Sequence, residues 1–425
     1  MVGVIVALTS AGADFANQLS THWIPNLIFF LLFIIFAASF LGMFEIILPT
    51  GLTNRADQQV DKGGAFASFF MALTLVLVSF SCTGPIIGAL LVEAANGQVL
   101  KPIIGMFGFS FAFALPFSLF AIFPSWLKSL PKSGGWLNSV KVIMGLILLA
   151  FGLKFLSNID QAYHLHLLGR EIYLSIWIVL FFIMGLYLLG KIRFAHDSEI
   201  THLKVPRFLL ALASFSFVVY MIPGLFGAPL TGISTLLPPK TAQNFDLLKA
   251  LNGNGNYLSQ ANVSSQLCDK PKYSDILEMP YNLSGYFDIE QGLACAKTLN
   301  KPVFLDLKGH TCTNCKAMEA EVWSDPEVLR RLRENFVIIA LYTDDKAELP
   351  QNEWYTSKLD GKVKKTLGKK NADYLMSKFG TNTLPLYVVL DTKGNQLIRP
   401  VGYSPVIKKF IDFLDEGENE FNKLK

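Results

Sequence analysis

Six apolar segments, each long enough to approach or exceed a bilayer's thickness, fall within the first 226 residues of this 425-residue chain. A membrane helix needs about 20 mostly apolar residues. Inside a bilayer only helices and closed barrels satisfy their own backbone polar groups, so these segments predict a helical membrane domain. The segments are 23–48, 65–92, 103–126, 140–156, 172–189 and 208–226.

The composition agrees with a membrane domain that precedes a soluble one. The chain is 52% hydrophobic and 16% charged, and most of its charges follow residue 240. We therefore predict a membrane domain at 1–228, a linker rich in Gly, Asn, Ser and Pro at 229–275, and a soluble domain at 276–425. The net charge of +4 is dispersed, which argues against a nucleic-acid partner.

The basic residues in the connecting loops predict the orientation. Cytoplasmic loops carry an excess of Lys and Arg. Nine basic residues flank one set of loops and three flank the other, which places the first set in the cytoplasm and the C-terminal half opposite, in a bacterial periplasm. The nine are Arg55, Lys62, Lys128, Lys132, Lys141, Lys191, Arg193, Lys204 and Arg207; the three are Lys101, Lys154 and Arg170.

The soluble half alternates between helical and strand patterns, which predicts an α/β domain. A polar insertion at 343–369 interrupts the pattern, and a short helix at 245–251 is predicted within the linker. The predicted helices are 288–299, 312–323, 326–334, 371–379 and 405–416; the strands are 303–307, 336–342, 386–390 and 396–401, with a turn at 391–394.

Cys312 and Cys315 form a CxxC motif between a buried strand and a helix. The unpaired N–H groups of a first helical turn stabilise a thiolate, so Cys312 is the predicted attacking thiol and Cys315 the thiol that closes the disulfide. The competing interpretation is half of a zinc site. Zinc needs four ligands, and the sequence has no second CxxC or HxxxH, so dithiol chemistry is favoured.

Three other cysteines complete the set of five, too few for a disulfide scaffold. Cys82 lies in the second apolar segment beside Gly84 and Pro85, which break a helix at membrane depth and favour a functional role over a merely buried thiol. Cys268 and Cys295 belong to no motif. They are either structural thiols or one mutual disulfide, and the sequence does not choose between these.

Several segments resemble the DsbD family of membrane thiol:disulfide interchange proteins, whose soluble domain has the thioredoxin fold. The resemblance covers nearly the whole chain, and the combination of segments is specific. These segments are Asp306 six residues before Cys312, Glu319 four residues after Cys315, Thr383-Leu384-Pro385 before a strand, the loop 130–136, and Ser81-Cys82-Thr83-Gly84-Pro85.

The resemblance implies a route for electrons and roles for residues. Electrons would pass from cytoplasmic thioredoxin through Cys82 to Cys312 and Cys315, then to periplasmic acceptors such as disulfide isomerases or cytochrome c maturation thioredoxins. The protein would lie in the bacterial inner membrane and need no flavin, nicotinamide or metal. Asp306, if buried, would take the proton of Cys315, and Pro385, in cis, would help to dock a partner.

Two further residues near the motif are Glu319 and His310. Glu319 either tunes the thiols or lies on a helix surface, and the sequence favours neither. His310 is interpreted as a loop histidine that could shift the pKa of Cys312 if charged.

The chain departs from the family pattern in three places. Thr311 stands where thioredoxins usually have Trp, Cys82 is the one cysteine among the apolar segments, and the family's N-terminal periplasmic domain is missing. Because each station of an exchange chain needs two thiols, we expect a cysteine-bearing first helix to be missing, through a late start or on a separate chain. The competing functions are a membrane-anchored oxidase or isomerase that does not use Cys82, and a transporter or metal-handling protein with a CxxC metal site.

Overall fold

The computed structural model describes residues 21–44, 107–108, 111, 114–115, 135–194, 197, 202–243, 245 and 267–424. Cys82, the predicted helix at 245–251 and most of the predicted segments 65–92 and 103–126 lie outside these ranges. Within them, four helices are long and apolar enough to cross a membrane: Trp23–Phe40, Asn138–Tyr163, Arg170–Leu188 and Val205–Phe226. They coincide with four of the six predicted segments.

Small residues let the membrane-capable helices approach closely, as in other membrane proteins. Helix α1 (Trp23–Phe40) meets α2 (Gly135–Tyr163) at Gly145, where a Cβ would lie 3.2 Å from the Ala37 carbonyl oxygen. Helix α3 (Arg170–Leu188) meets α4 (Val205–Met221) at Gly185, where a Cβ would lie 2.7 Å from the Phe215 ring.

Residues that follow α4 turn back over the start of α3. Arg170 is buried and donates through its two terminal nitrogens to the carbonyl oxygens of Pro238 (2.6 Å) and Pro229 (3.3 Å). The Tyr173 hydroxyl donates to the Leu236 carbonyl (3.0 Å). The beginning of the predicted linker thus forms short 3-10 turns, at Ser234–Leu236 and Lys240–Ala242, with the first held on α3.

The soluble domain is built on a four-stranded sheet with the strand order β1-β3-β2-β6. Strands β1, β3 and β2 are parallel, and β6 is antiparallel to β2. The four strands are β1 (Gly285–Tyr286), β2 (Val303–Lys308), β3 (Val337–Tyr342) and β6 (Leu386–Leu390); a separate pair comprises β4 (Tyr355–Thr356) and β5 (Val363–Lys364).

Helices cover both faces of the sheet, so its central strands are apolar on both sides. Phe304 and Leu305 point to opposite faces because strand side chains alternate, and each belongs to a separate buried core. The helices are α5 (Ile289–Leu299), α6 (Thr313–Met318), α7 (Pro326–Asn335), α8 (Leu367–Phe379) and α9 (Ile407–Lys423). This is the membrane-plus-thioredoxin architecture that the sequence predicts.

Four element boundaries differ from the predictions. The helix after the CxxC changes at Glu319 into a π-helical turn that ends at Trp323, and α9 continues to Lys423. The predicted strand 396–401 makes two isolated bridges to β6 and no regular ladder. Helix α8 begins within the predicted insertion, because the Thr366 hydroxyl accepts from the Lys369 N–H and caps its first turn.

Candidate functional site

Cys312 and Cys315 form a disulfide where β2 leads into α6. Cys312 caps the helix: its sulfur accepts a hydrogen bond from the Cys315 backbone N–H (3.1 Å). Cys312 is half-buried, whereas Cys315 is 3% exposed. This arrangement matches the predicted difference between an accessible attacking thiol and a sheltered resolving thiol, and the same N–H group can stabilise a Cys312 thiolate after reduction.

Asp306 lies on β2, the strand that leads into the CxxC, and is 2% exposed, which confirms its predicted burial. One carboxyl oxygen, Oδ2, lies 3.3 Å from the Lys308 Nζ, and the other, Oδ1, has no hydrogen-bond partner within the protein. Burial raises the pKa of Asp306 to about 6, although Lys308 acts in the opposite direction. A buried carboxylate with a pKa near neutrality can accept and return a proton.

Glu319 is buried, so the surface position that the sequence left open is excluded. Its carboxylate forms an ion pair with Lys308, and its backbone carbonyl accepts from the Tyr281 hydroxyl (2.9 Å). Burial alone would lower the pKa of Lys308, but Glu319, Tyr342 and Asp306 together raise it well above its ordinary value. Lys308 therefore remains cationic between two carboxylates.

Lys308 was not among the predicted site residues, although its spacing from Asp306 on β2 was a usable signal. Residues two apart on a strand point to the same face, so Asp306 and Lys308 share one side of the sheet. The ammonium group of Lys308 also lies over the rings of Trp323 (5.6 Å) and Tyr342 (5.2 Å).

Asp344 holds the backbone that leads into the CxxC. Its carboxylate accepts from the N–H groups of His310 (2.8 Å) and Thr311 (3.1 Å), and from the Thr311 hydroxyl (3.1 Å). A Cβ at Gly309 would lie 2.9 Å from Asp344 Oδ2, so glycine is needed there. Because the parallel strands β2 and β3 end at the same edge, the polar residues after β3 could have been assigned to this site from the sequence.

Pro385 follows a cis peptide bond with Leu384, as predicted. It directly precedes β6, the strand that pairs with β2 beside the CxxC. Its role in docking a partner stays a prediction. Cys82, the predicted membrane thiol, lies outside the described residues.

The start of α6 contacts the segment that follows the membrane helices. Lys316 is buried and its Nζ donates to the Leu237 carbonyl (3.3 Å). Burial, with help from Lys154, lowers the pKa of Lys316 to about 7. A second link joins the Lys346 N–H to the Ala162 carbonyl (3.1 Å). The residues around the CxxC therefore contact backbone at the end of α2 and in the segment that follows α4.

Cys268 and Cys295 form a disulfide, which resolves the question that the sequence left open. Cys295 lies on α5 and is 2% exposed. The Cys268 N–H donates to the Tyr286 hydroxyl (2.9 Å). This disulfide fastens the start of the described soluble domain to α5 and belongs to its framework.

Two family models match the chain. Residues 1–159 match the cytochrome C biogenesis protein transmembrane domain, and residues 289–418 match a thioredoxin-like domain. The first match reaches into α2, and the second covers most of the α/β domain, including the CxxC.

Curated relatives align across both regions. Thiol:disulfide interchange protein DsbD 1 of Pseudomonas aeruginosa is 27% identical over 338 residues, 78% of this chain and 50% of the relative. DsbD of Vibrio vulnificus is 25% identical over 355 residues, 82% of this chain and 50% of the relative. DsbD of Actinobacillus pleuropneumoniae is 27% identical over 424 residues, 98% of this chain and 59% of the relative.

The chain spans between about half and three-fifths of the length of these relatives. The match nevertheless runs through the membrane helices and the thioredoxin fold in a single alignment, which neither domain alone would produce. Both family matches, and relatives that share both domains, support a DsbD-family protein.

Proposed function

We propose that this protein is a membrane protein-disulfide reductase of the bacterial inner membrane, with its thioredoxin-like domain in the periplasm. The observation that carries the proposal is the Cys312–Cys315 disulfide at the start of α6, with the buried carboxyl of Asp306 on the strand that precedes it. In a protein that also contains membrane-capable helices, this arrangement supports the transfer of electrons to proteins outside the cytoplasm.

The reductive half-reaction uses both thiols of the CxxC. The Cys312 thiolate attacks one sulfur of the acceptor's disulfide; a mixed disulfide forms and the other acceptor sulfur leaves as a thiolate. Cys315 then attacks the Cys312 sulfur, which closes the Cys312–Cys315 disulfide and releases the second acceptor thiol. Two electrons pass to the acceptor, and its two thiolates take up the protons that Cys312 and Cys315 lose.

Asp306 is the proposed proton acceptor for Cys315 in this second step. A thiol attacks only as its thiolate, and Cys315 is too buried to lose its proton readily to water. A carboxylate with a pKa of about 6 is ionised at neutral pH and can take that proton. Lys308 and Glu319 fix the charge around Asp306, and we propose that Glu319 tunes the thiols through this network.

The CxxC is then reduced again from the membrane side. We propose that cytoplasmic thioredoxin supplies the electrons and that Cys82 takes part in their passage, while the acceptors are periplasmic disulfide isomerases or cytochrome c maturation thioredoxins. Lys346 contacts the end of α2 and Lys316 contacts the segment that follows α4, and these contacts support an electron supply from the membrane helices.

A Cys82→Ser variant tests the route. Cells are quenched in acid and their free thiols are alkylated, which measures the reduced fraction of the CxxC. This fraction should be substantial for the wild-type protein, whereas in the variant the CxxC should be oxidised. The matched control is Ser81→Ala, which leaves the thiol in place and should behave as wild type. An unchanged redox state in Cys82→Ser would favour the anchored oxidase or isomerase instead.

A further inference from the structure

His164, His310 and Asp345 bring three metal-binding atoms together at a place that the exchange reaction does not use. The Nε2 atoms of His164 and His310 lie 2.9 Å and 2.8 Å from the same atom, Asp345 Oδ2. All three donor atoms lie within 4.8 Å of one another. Within the described residues, these are the side chains that meet this geometric requirement for a metal-binding group.

The three residues come from separate segments. His164 directly follows the last residue of α2, His310 lies two residues before Cys312, and Asp345 lies three residues after the end of β3. Their side chains are 12%, 7% and 0% exposed, respectively. A carboxylate withdrawn from water needs compensating partners, and the two histidines supply them to Asp345.

We propose that His164, His310 and Asp345 form a binding site for a divalent transition metal, with Zn²⁺ the preferred ion. Two imidazole nitrogens and one carboxylate oxygen match the three-ligand sets of open zinc sites, whose fourth position is left to water. Zinc ligands lie about 2.0–2.2 Å from the ion. The two histidine nitrogens would therefore have to move only a few tenths of an ångström farther from Asp345 Oδ2 to make room for the ion. The nitrogen ligands disfavour Ca²⁺ and Mg²⁺, which take oxygen ligands.

The surroundings hold the three donors in position. The other carboxylate oxygen of Asp345 accepts from the Ala347 N–H (2.7 Å), which fixes the carboxylate plane. The ring of His310 stacks on Tyr342 with their centroids 4.3 Å apart, and it meets the ring of His164 edge to face. His164 has a φ of +52°, which is an unfavourable backbone conformation for histidine. In this conformation its ring is hydrogen-bonded to Asp345.

A bound ion would join the end of α2 to the loop that carries the CxxC. Without metal, the two histidines donate hydrogen bonds to Asp345 and the same segments meet through a weaker contact. Metal occupancy would therefore favour the docked position of the CxxC loop on the membrane helices. The metal site itself stands apart from the proposed reductase function, and its test measures bound metal and not catalysis.

The experiment uses the full chain in detergent with the CxxC oxidised, so that its thiols cannot bind metal. Equilibrium dialysis against Zn²⁺ gives the stoichiometry and the dissociation constant, and Co²⁺ gives a visible absorption spectrum that reports nitrogen and oxygen ligands. The variants His164→Gln and Asp345→Asn remove one ligand each. The matched control is His166→Gln, since His166 lies in the same loop, has a φ of +54° and is exposed.

We expect one equivalent of Zn²⁺ per chain for the wild type and for His166→Gln, with equal affinity. The His164→Gln variant should bind at least about 100-fold more weakly, since even outer partners of metal ligands contribute 10- to 100-fold. His164 lies outside the thioredoxin fold, so loss of binding there would not reflect a misfolded soluble domain. Equal binding by His164→Gln and the wild type, or no stoichiometric uptake by the wild type, would show that the cluster is a hydrogen-bonded contact alone.

Discussion

Lys308 Nζ lies 3.3 Å from Asp306 Oδ2, and both side chains project from β2 to one buried side of the sheet. Glu319 completes the group from the π-helical turn after the CxxC helix. One cation thus compensates two carboxylates, and Asp306 is the one with an oxygen left unpaired. This unpaired oxygen leaves Asp306 able to accept a proton, which is the role that we propose for it when Cys315 attacks.

The Asp306→Asn variant should be more stable at neutral pH but slower in disulfide exchange. The pKa of Asp306 is raised, so the folded state binds a proton more tightly than the unfolded state, and stability falls as the pH rises from about 4 to about 6. The variant has no carboxyl group to ionise there, so it keeps the free energy of unfolding that the wild type loses. For a pKa shift of about two units this difference is up to about 3 kcal/mol at pH 7. Amide hydrogen exchange of β2 and β3 in the full chain measures the difference.

The same variant should reduce an acceptor disulfide about 100-fold more slowly, a typical loss when a general base is removed. The gain in stability should disappear below pH 4, where Asp306 is protonated in both states. A variant that is less stable than wild type at pH 7 would contradict the raised pKa. Unchanged exchange rates would remove Asp306 from the mechanism.

The Lys308→Met variant should be strongly destabilised because it leaves Glu319 buried without its cation. Removal of one partner of a buried ion pair costs about 3–5 kcal/mol. The double variant Lys308→Met with Glu319→Gln should recover much of this loss, since no uncompensated charge remains. Hydrogen exchange of β2 amides reports both values, and additive losses in the double variant would contradict the pairing.

Local patterns in the sequence account for much of the site. The CxxC lies between a strand and a helix, and Asp306 lies on that strand, so both could be assigned from their neighbours. The cis bond at Pro385 was implied only by the resemblance to the DsbD family. Glu319 could not be assigned in this way, because its burial depends on a π-helical turn that a helical pattern does not reveal. His164 meets Asp345 across 181 residues, a pairing that only the tertiary fold produces.

The insertion 343–369 shows the same limit. The parallel order of β2 and β3 places Asp344 and Asp345 at the edge of the sheet that carries the CxxC, but the polar composition does not reveal that both are buried. They are stable there because backbone N–H groups and histidine nitrogens from other segments satisfy their carboxylates. The sequence near Asp344 and Asp345 does not predict these hydrogen-bond donors, because they lie in distant segments of the chain.

The Gly309→Ala variant should disturb the loop before the CxxC. The added Cβ would lie 2.9 Å from Asp344 Oδ2, and displacement of that carboxylate breaks its bonds to His310 and Thr311. We expect a loss of about 1–3 kcal/mol in stability, typical of a forced contact in a packed region. The control is Gly402→Ala, whose new Cβ would make an ordinary contact at 3.5 Å. Equal stabilities, measured by hydrogen exchange near residue 309 or 402, would contradict the close packing.

Removal of the framework disulfide with Cys268→Ala and Cys295→Ala should destabilise the soluble domain without removing its redox chemistry. The bond closes a loop of 27 residues, and the chain-entropy relation gives about 3–4 kcal/mol for that length. Protection of the α5 amides against hydrogen exchange should fall, while the rate of disulfide exchange at Cys312 should stay within about twofold of wild type, as for distant and independent sites. A loss of exchange activity in a folded variant would assign this second pair a redox role.

Mixed-disulfide trapping in cells tests the central claim, that Cys312 attacks and Cys315 resolves, most directly. In a Cys315→Ala variant the mixed disulfide between Cys312 and a partner protein cannot be resolved. Lysates treated with an alkylating reagent should therefore contain disulfide-linked adducts through Cys312, and a reductant should remove them. Cys312→Ala, the matched control, should accumulate far fewer, because Cys315 is buried. Identification of periplasmic thiol–disulfide proteins in the Cys315→Ala adducts is the predicted result. Adducts that form mainly in Cys312→Ala, or in neither variant, would contradict the assignment.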